Sequence, residues 1–180
     1  MSKIRKKGNN NLPPLQKRII LCLAEHGPQT INETVNNMKP KGHYKPTWIA
    51  FKSLKAKGLI QKQGSKTYLG RKYPQFWLTE KGIVSALVNG ANPKTLQTIM
   101  YEKLPAFSIE NNDIIDFLCE YALTSKENLY EIYTALKILK KSNNRALAKE
   151  IYRIIMNNET VRKVFEESFS FLKRLEGVKP

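Results

Sequence analysis

Residues 46–60, PTWIAFKSLKAKGLI, constrain this chain more than any other stretch. Thr47, Ala50, Phe51 and Leu54 recur at helical spacing and predict a helix over residues 46–57 with one apolar stripe. Gly58 follows the last turn, where a residue free to enter the left-handed region ends a helix, and Leu59-Ile60 begin an extended run. The opposite side carries Lys45, Trp48, Ile49, Lys52 and Ser53, with Lys55 and Lys57 beside them. So short a helix must bury its stripe on a small core, which leaves a cationic back suited to a DNA groove.

The flanking sequence predicts the rest of that core. Pro13-Pro14 opens a first helix with Leu15, Ile19, Cys22 and Leu23 inside, and His26-Gly27-Pro28 closes it. Thr30 followed by Glu33 forms a capping box for a second helix from about residue 31 to 38, with Ile31, Val35 and Met38 inward. Residues 39–45 read as a turn, and His43 in it reads as a solvated residue. Residues 59–63 predict a first strand and residues 76–78 a second, with Phe76 and Leu78 on one side and Trp77 on the other. Residues 64–74 between them read as a Gly-bounded loop carrying Lys66, Arg71 and Lys72 among Tyr68 and Tyr73. Basic residues in such a loop neutralise phosphates, and tyrosines add hydrogen bonds and stacking. Thr79 caps a fourth helix that bears Ile83, Leu87 and Val88.

Two runs carry a resemblance to a known family. Leu54-Lys55-Ala56-Lys57-Gly58-Leu59-Ile60, followed by Phe76-Trp77-Leu78-Thr79-Glu80-Lys81-Gly82, resembles the winged helix-turn-helix of prokaryotic transcription regulators, archaeal or bacterial, of the MarR-like and PadR-like groups. The resemblance spans residues 13–90. It implies that helix 46–57 is a recognition helix and loop 64–74 a wing. Those regulators commonly carry a polar residue or arginine where this chain has Ile49. Ile49 suits contact with a thymine methyl, whereas Lys52 suits guanine O6 or N7. Trp48 is open to two roles, against sugar–phosphate or in the core.

Charge is divided unevenly. Residues 1–90 hold 17 Lys+Arg against 3 Asp+Glu, and residues 91–180 hold 14 against 12, so +14 of the net +16 lies in the first half. A polyanion-binding half accounts for this asymmetry better than solubility does. Residues 1–12, with Lys3, Arg5, Lys6 and Lys7, read as a disordered basic arm.

The turn residues Asn89-Gly90-Ala91-Asn92-Pro93 divide the winged domain, 13–90, from a helical bundle, 91–180. Five short amphipathic stripes follow: Leu96, Ile99, Met100 and Leu104; Ile114, Ile115, Leu118, Tyr121 and Ala122; Leu129, Ile132, Tyr133, Leu136 and Leu139, capped by Ser125; residues 147–155; and residues 161–175 with Phe169 and Phe171. The expected fold class is mainly α with a small β-hairpin wing. PadR-like regulators dimerise through a C-terminal helical region, so the resemblance implies a homodimer here; packing of these helices back onto the winged domain is the alternative that would also account for Phe169 and Phe171.

Enzyme signatures are missing: the sequence has no phosphate loop, GxGxxG, HExxH or nucleophile elbow. Asp113, Asp116 and Glu120 read as a solvated helix face rather than a metal site. Two lone cysteines, Cys22 and Cys119, offer neither a disulfide framework nor a zinc knuckle. With no apolar leader in MSKIRKKGNNN, the expectation is a cytoplasmic, non-enzymatic protein without cofactor or metal. Its expected partner is double-stranded DNA, bound as a transcription regulator. Two alternatives stay open: a winged-helix module that docks on protein through Trp48, Ile49 and Trp77, and a binder of single-stranded nucleic acid through the tyrosines of the wing.

Overall fold

The computed structural model describes residues 12–103 and 112–141 of the 180-residue chain. Over these residues the protein is mainly helical, with one two-stranded antiparallel hairpin. The arm expected before Leu12, Leu104 and the two helices expected after residue 146, with Phe169 and Phe171, lie outside the described residues.

The first helix, α1 (Pro14–His26), starts with proline where a missing amide proton is no loss, and Gly27 at φ 87° ends it. It buries Ile19, Ile20, Cys22 and Leu23, while Leu15 is only partly covered. In α2 (Ile31–Asn37) the capping box forms as expected: Thr30 Oγ1 accepts from the Glu33 amide, and the Glu33 carboxylate accepts from the Thr30 amide at 2.8 Å. The next helix, α3 (Tyr44–Ala56), buries Thr47, Ala50, Phe51 and Leu54 as the spacing predicted, and Gly58 follows it at φ 67°.

Its start corrects the sequence reading, which opened the helix at Pro46. The first-turn amides of a helix have no intrahelical acceptor, so proline fits the third position without losing a bond. Thr47 is the first to reach back, its amide donating to the His43 carbonyl at 3.1 Å. Helix 46–57 is thus Tyr44–Ala56, and Tyr44 belongs to it.

The expected loop over 64–74 is corrected more substantially. Strands β1 (Ile60–Tyr68) and β2 (Arg71–Leu78) pair along nearly their whole length, so most of that loop is ladder. Only Leu69-Gly70 turn the chain, both at positive φ, the geometry whose twist matches two antiparallel strands. One bulge interrupts the ladder: Lys62 pairs with Phe76 and Gly64 with Gln75, leaving Gln63 unpaired. On its other edge β2 bridges to Gln29, with the two amides of Gln29 and Phe76 exchanging bonds of 3.0 and 2.8 Å.

Trp77 is also corrected. Expected on an open face, it is 0% exposed, and its indole N–H donates to the Leu23 carbonyl at 3.1 Å. Strand alternation sets it opposite Phe76 and Leu78, but α1 covers that second face, so alternation there does not mean alternation of burial.

Helix α4 (Glu80–Val88) is the hub. Thr79 caps it, accepting from the Gly82 amide at 3.1 Å, and every residue from Gly82 to Leu87 is buried. A helix apolar all round needs partners on all sides, and α4 has them. It packs on α1 and β2 on one side and on α6 (Asn112–Thr124) and α7 (Leu129–Lys141) on the other. Its entry is tight: a Cβ on Gly82 would stand 1.9 Å from the Leu59 carbonyl oxygen. That oxygen already accepts the Thr79 amide at 3.0 Å. The Leu78-Thr79-x-x-Gly82 pattern is therefore a cap and a close approach in one.

After Gly90 the chain re-enters the core at Ala91, and α5 (Pro93–Thr98), capped by Asn92, buries Leu96 before a π-helical turn, Ile99–Lys103. On α6 the stripe of Ile114, Ile115, Leu118, Tyr121 and Ala122 is buried as expected, and Phe117 and Cys119 widen it. On α7 Leu129, Ile132, Tyr133 and Leu136 are inward. Ser125 does not cap α7: its hydroxyl accepts from the Glu127 amide at 3.2 Å, closing a turn ahead of the helix. The α4–α7 contact carries a polar clasp in which Lys137 Nζ and Tyr133 Oη both donate to one Glu80 oxygen at 2.9 Å. Lys137 Nζ also donates to Tyr133 Oη at 3.1 Å, and its bonds to Glu80 and Tyr133 hold the ammonium above its ordinary range.

Candidate nucleic-acid interface

The faces of α3 are assigned by its packing. Its inner stripe meets α1, α2 and the start of β1, so Lys45, Trp48, Ile49, Lys52 and Lys55 are turned outward along one arc, with Tyr44 at its head. All six are exposed, including Trp48 at 40% and Ile49 at 54%. Of the two roles left open for Trp48, this removes the one in the core. Lys52 Nζ lies 3.7 Å from the centre of the Trp48 ring, a cation–π contact that holds two neighbouring turns of the arc together.

Ser53 and Lys57 are placed differently. Ser53 sits at the flank of α3 and its hydroxyl accepts from Gln16 Nε2 at 3.0 Å. Lys57 Nζ donates to Gln16 Oε1 at 2.7 Å. One buried glutamine on α1 thus uses both ends of its amide to fix where α3 stops. Ser53 is engaged within the fold, and Lys57 stands at the edge of the arc.

The hairpin carries the other cations. Residues 64–72 are all exposed. Lys66 forms an ion pair with Glu33 on α2, Nζ to Oε1 2.5 Å. Burial alone would raise the Glu33 carboxyl, but the bonds from Lys66 and Thr30 outweigh it and hold the group below its usual range. Arg71 and Lys72, adjacent on β2, face opposite sides of the ribbon. Among the described residues, Lys45, Lys52, Lys55, Arg71 and Lys72 form no ion pair. Between Glu33 and Glu80 the chain contains no acidic residue at all.

Sequence reasoning missed Tyr44, Gln16 and Leu69. Tyr44 had a signal, since it stands four residues before Trp48 and eight before Lys52. Leu69 had one as well, because Leu69-Gly70 ends in the glycine that a two-residue hairpin turn favours. Gln16 had none: a polar side chain on an apolar stripe shows its use only once α3 is packed beside it.

Other chemistry in the described residues is quiet. No group of three or more His, Cys, Asp or Glu is placed to hold a metal. Burial pushes the Cys22 thiol up to about 11 and the Cys119 thiol to about 12, so both are protonated at neutral pH and unreactive. Asp116 accepts a hydrogen bond from the Tyr101 hydroxyl. No described helix is long and apolar enough to cross a membrane. No protein-family model, no curated protein and no solved structure matches this chain.

Proposed function

We propose that residues 13–90 are a winged helix-turn-helix that binds duplex DNA, with α3 as recognition helix and β1–β2 as wing, in a dimeric transcription regulator. The order of helix, bridge at Gln29, two helices and hairpin supports the fold reading. The observation that carries the function is the row of unpaired cations: Lys45, Lys52 and Lys55 on the outward arc of α3, and Arg71 and Lys72 on the hairpin. Among the described residues these cations lack acidic partners, and they lie on two elements that touch, α3 and the hairpin, which matches a polyanion. The homodimer in this reading comes from the resemblance to PadR-like regulators, which dimerise through a C-terminal helical region. The role is non-enzymatic in this reading.

The test is fluorescence anisotropy on a labelled random-sequence duplex over a salt series, for the wild type and for Lys52→Ala/Arg71→Ala. The wild type should lose affinity steeply with salt, and the double variant should lower the slope of log K against log salt by about 2, one for each cation removed. A second reading, docking on a protein partner, is favoured by Tyr44, Trp48 and Ile49 exposed together. It gains if the duplex is not bound even at low salt.

A further inference from the structure

We infer that the tip of the β1–β2 hairpin is an apolar wedge: Leu69, flanked by Tyr68 and Arg71, enters the minor groove of duplex DNA, unstacks a base step and bends the duplex. The inference rests on the DNA-binding reading above and adds to it a second, deforming contact.

Leucine is out of place at this turn. Leu69 has φ 46° and Gly70 φ 74°, so both central residues of the turn are left-handed. The first such position favours Asn, Asp or Gly, because the Cβ of other residues crowds the following carbonyl. Strain of this kind elsewhere in proteins is offset by packing, but Leu69 is 85% exposed, so little burial offsets it here. A large aliphatic side chain that is both strained and held in water has no folding reason to be there. Such outliers point toward function.

The setting names the occupant. The tip lies beyond the bulge at Gln63, on the part of the ribbon where residues 64–72 are all exposed. It is a narrow two-stranded arm with Tyr68 also exposed, at 66%. Arg71 pairs across the ladder with Tyr68, and Lys72 with Thr67, so positive charge sits immediately behind the apolar point. Minor-groove proteins combine these parts: cations drawn to the narrow negative groove and an apolar side chain driven between base pairs. An anionic membrane surface would attract the same charge, but a single leucine offers little apolar area for lasting insertion.

The test uses the full chain on a duplex labelled at both ends for energy transfer, with 2-aminopurine substituted at successive steps. The wild type should shorten the end-to-end distance, consistent with a bend of about 20–90°. One 2-aminopurine position should brighten as its stack opens. Leu69→Asn puts the favoured residue into the turn, so the hairpin is kept and the Tm should equal or exceed that of the wild type. This variant should still bind, within about tenfold of the wild-type affinity if the phosphate contacts dominate, but should leave the duplex straight and the 2-aminopurine dark. Equal bending by Leu69→Asn, or a straight duplex with bound wild type, overturns the wedge while leaving the DNA-binding reading intact. No anisotropy change with wild type at low salt sinks both. Binding to phosphatidylserine vesicles that disappears in Leu69→Asn, with the bound duplex straight, would overturn the wedge in favour of a membrane contact.

Discussion

Helices α3 and α4 stand a hairpin apart in the chain and make opposite use of helical geometry. On α3 the buried residues occupy one stripe, and an arc from Tyr44 through Trp48 and Lys52 is left to solvent. On α4 burial runs all the way round from Gly82 to Leu87, because α1 and β2 cover one side and α6 and α7 the other. The helix that organises the core is therefore not the helix that offers a surface. A half-buried helix can give up its outer side chains without loss of fold, whereas a helix enclosed by four elements can give up none.

That contrast can be broken by substitution. The largest effect is expected at Leu87, which is 0% exposed: Leu87→Ala should cost about 2–5 kcal/mol in urea unfolding. Ile49→Ala on the exposed arc of α3 should stay within about 0.5 kcal/mol. Comparable losses at the two sites would mean that α3 is covered by something in solution.

Next in size is Gly82→Ala. Alanine favours a helix over glycine by up to about 1 kcal/mol, but here its Cβ would meet the Leu59 carbonyl oxygen at 1.9 Å. Backbone has to move, so a net destabilisation of about 1–3 kcal/mol is expected from chemical denaturation. A stabilised Gly82→Ala protein would show that α4 does not enter so close to β1.

The smallest effect sharpens the edge between the two regions, where the hairpin is tied to α2. Glu33 is held below the ordinary carboxyl value of 4.5, so its contribution is present above that pH and is lost as pH falls through the lowered folded value. Thermal unfolding of wild type and Glu33→Gln should differ at neutral pH and converge in acid. A gap that is unchanged down to pH 3 would show that the Lys66 pair and the Thr30 cap are not what Glu33 supplies.

Much of α1 to α3 was legible because their signals are local. The Thr30–Glu33 box, the 47, 50, 51, 54 stripe and Gly58 each act within a few residues of chain, and the structure has all of them. The candidate site was legible to the extent that it lies on such a stripe: the outward set on α3 is the complement of the buried one. The hydrogen bonds of Ser53 and Lys57 to Gln16 were not legible, because Gln16 is some forty residues away. The hairpin was shortened because Gly64, Gly70 and Pro74 read as loop residues, although one sits at a bulge, one in the turn and one within β2.

The sequence by itself determined the local grammar: where helices are capped, which stripe of each is apolar, and that cations gather in the first half. These follow from backbone hydrogen bonding, side-chain periodicity and composition, none of which needs a partner element. Only the tertiary structure decided that Trp77 is enclosed, that α4 is buried on every side and that Gly82 must be glycine. It also decided that Leu69 stands alone at a strained tip. Burial depends on what covers a face, and the covering elements α1, α6 and α7 come from distant parts of the chain. A periodic pattern shows which residues share a face, but packing alone determines whether that face meets water.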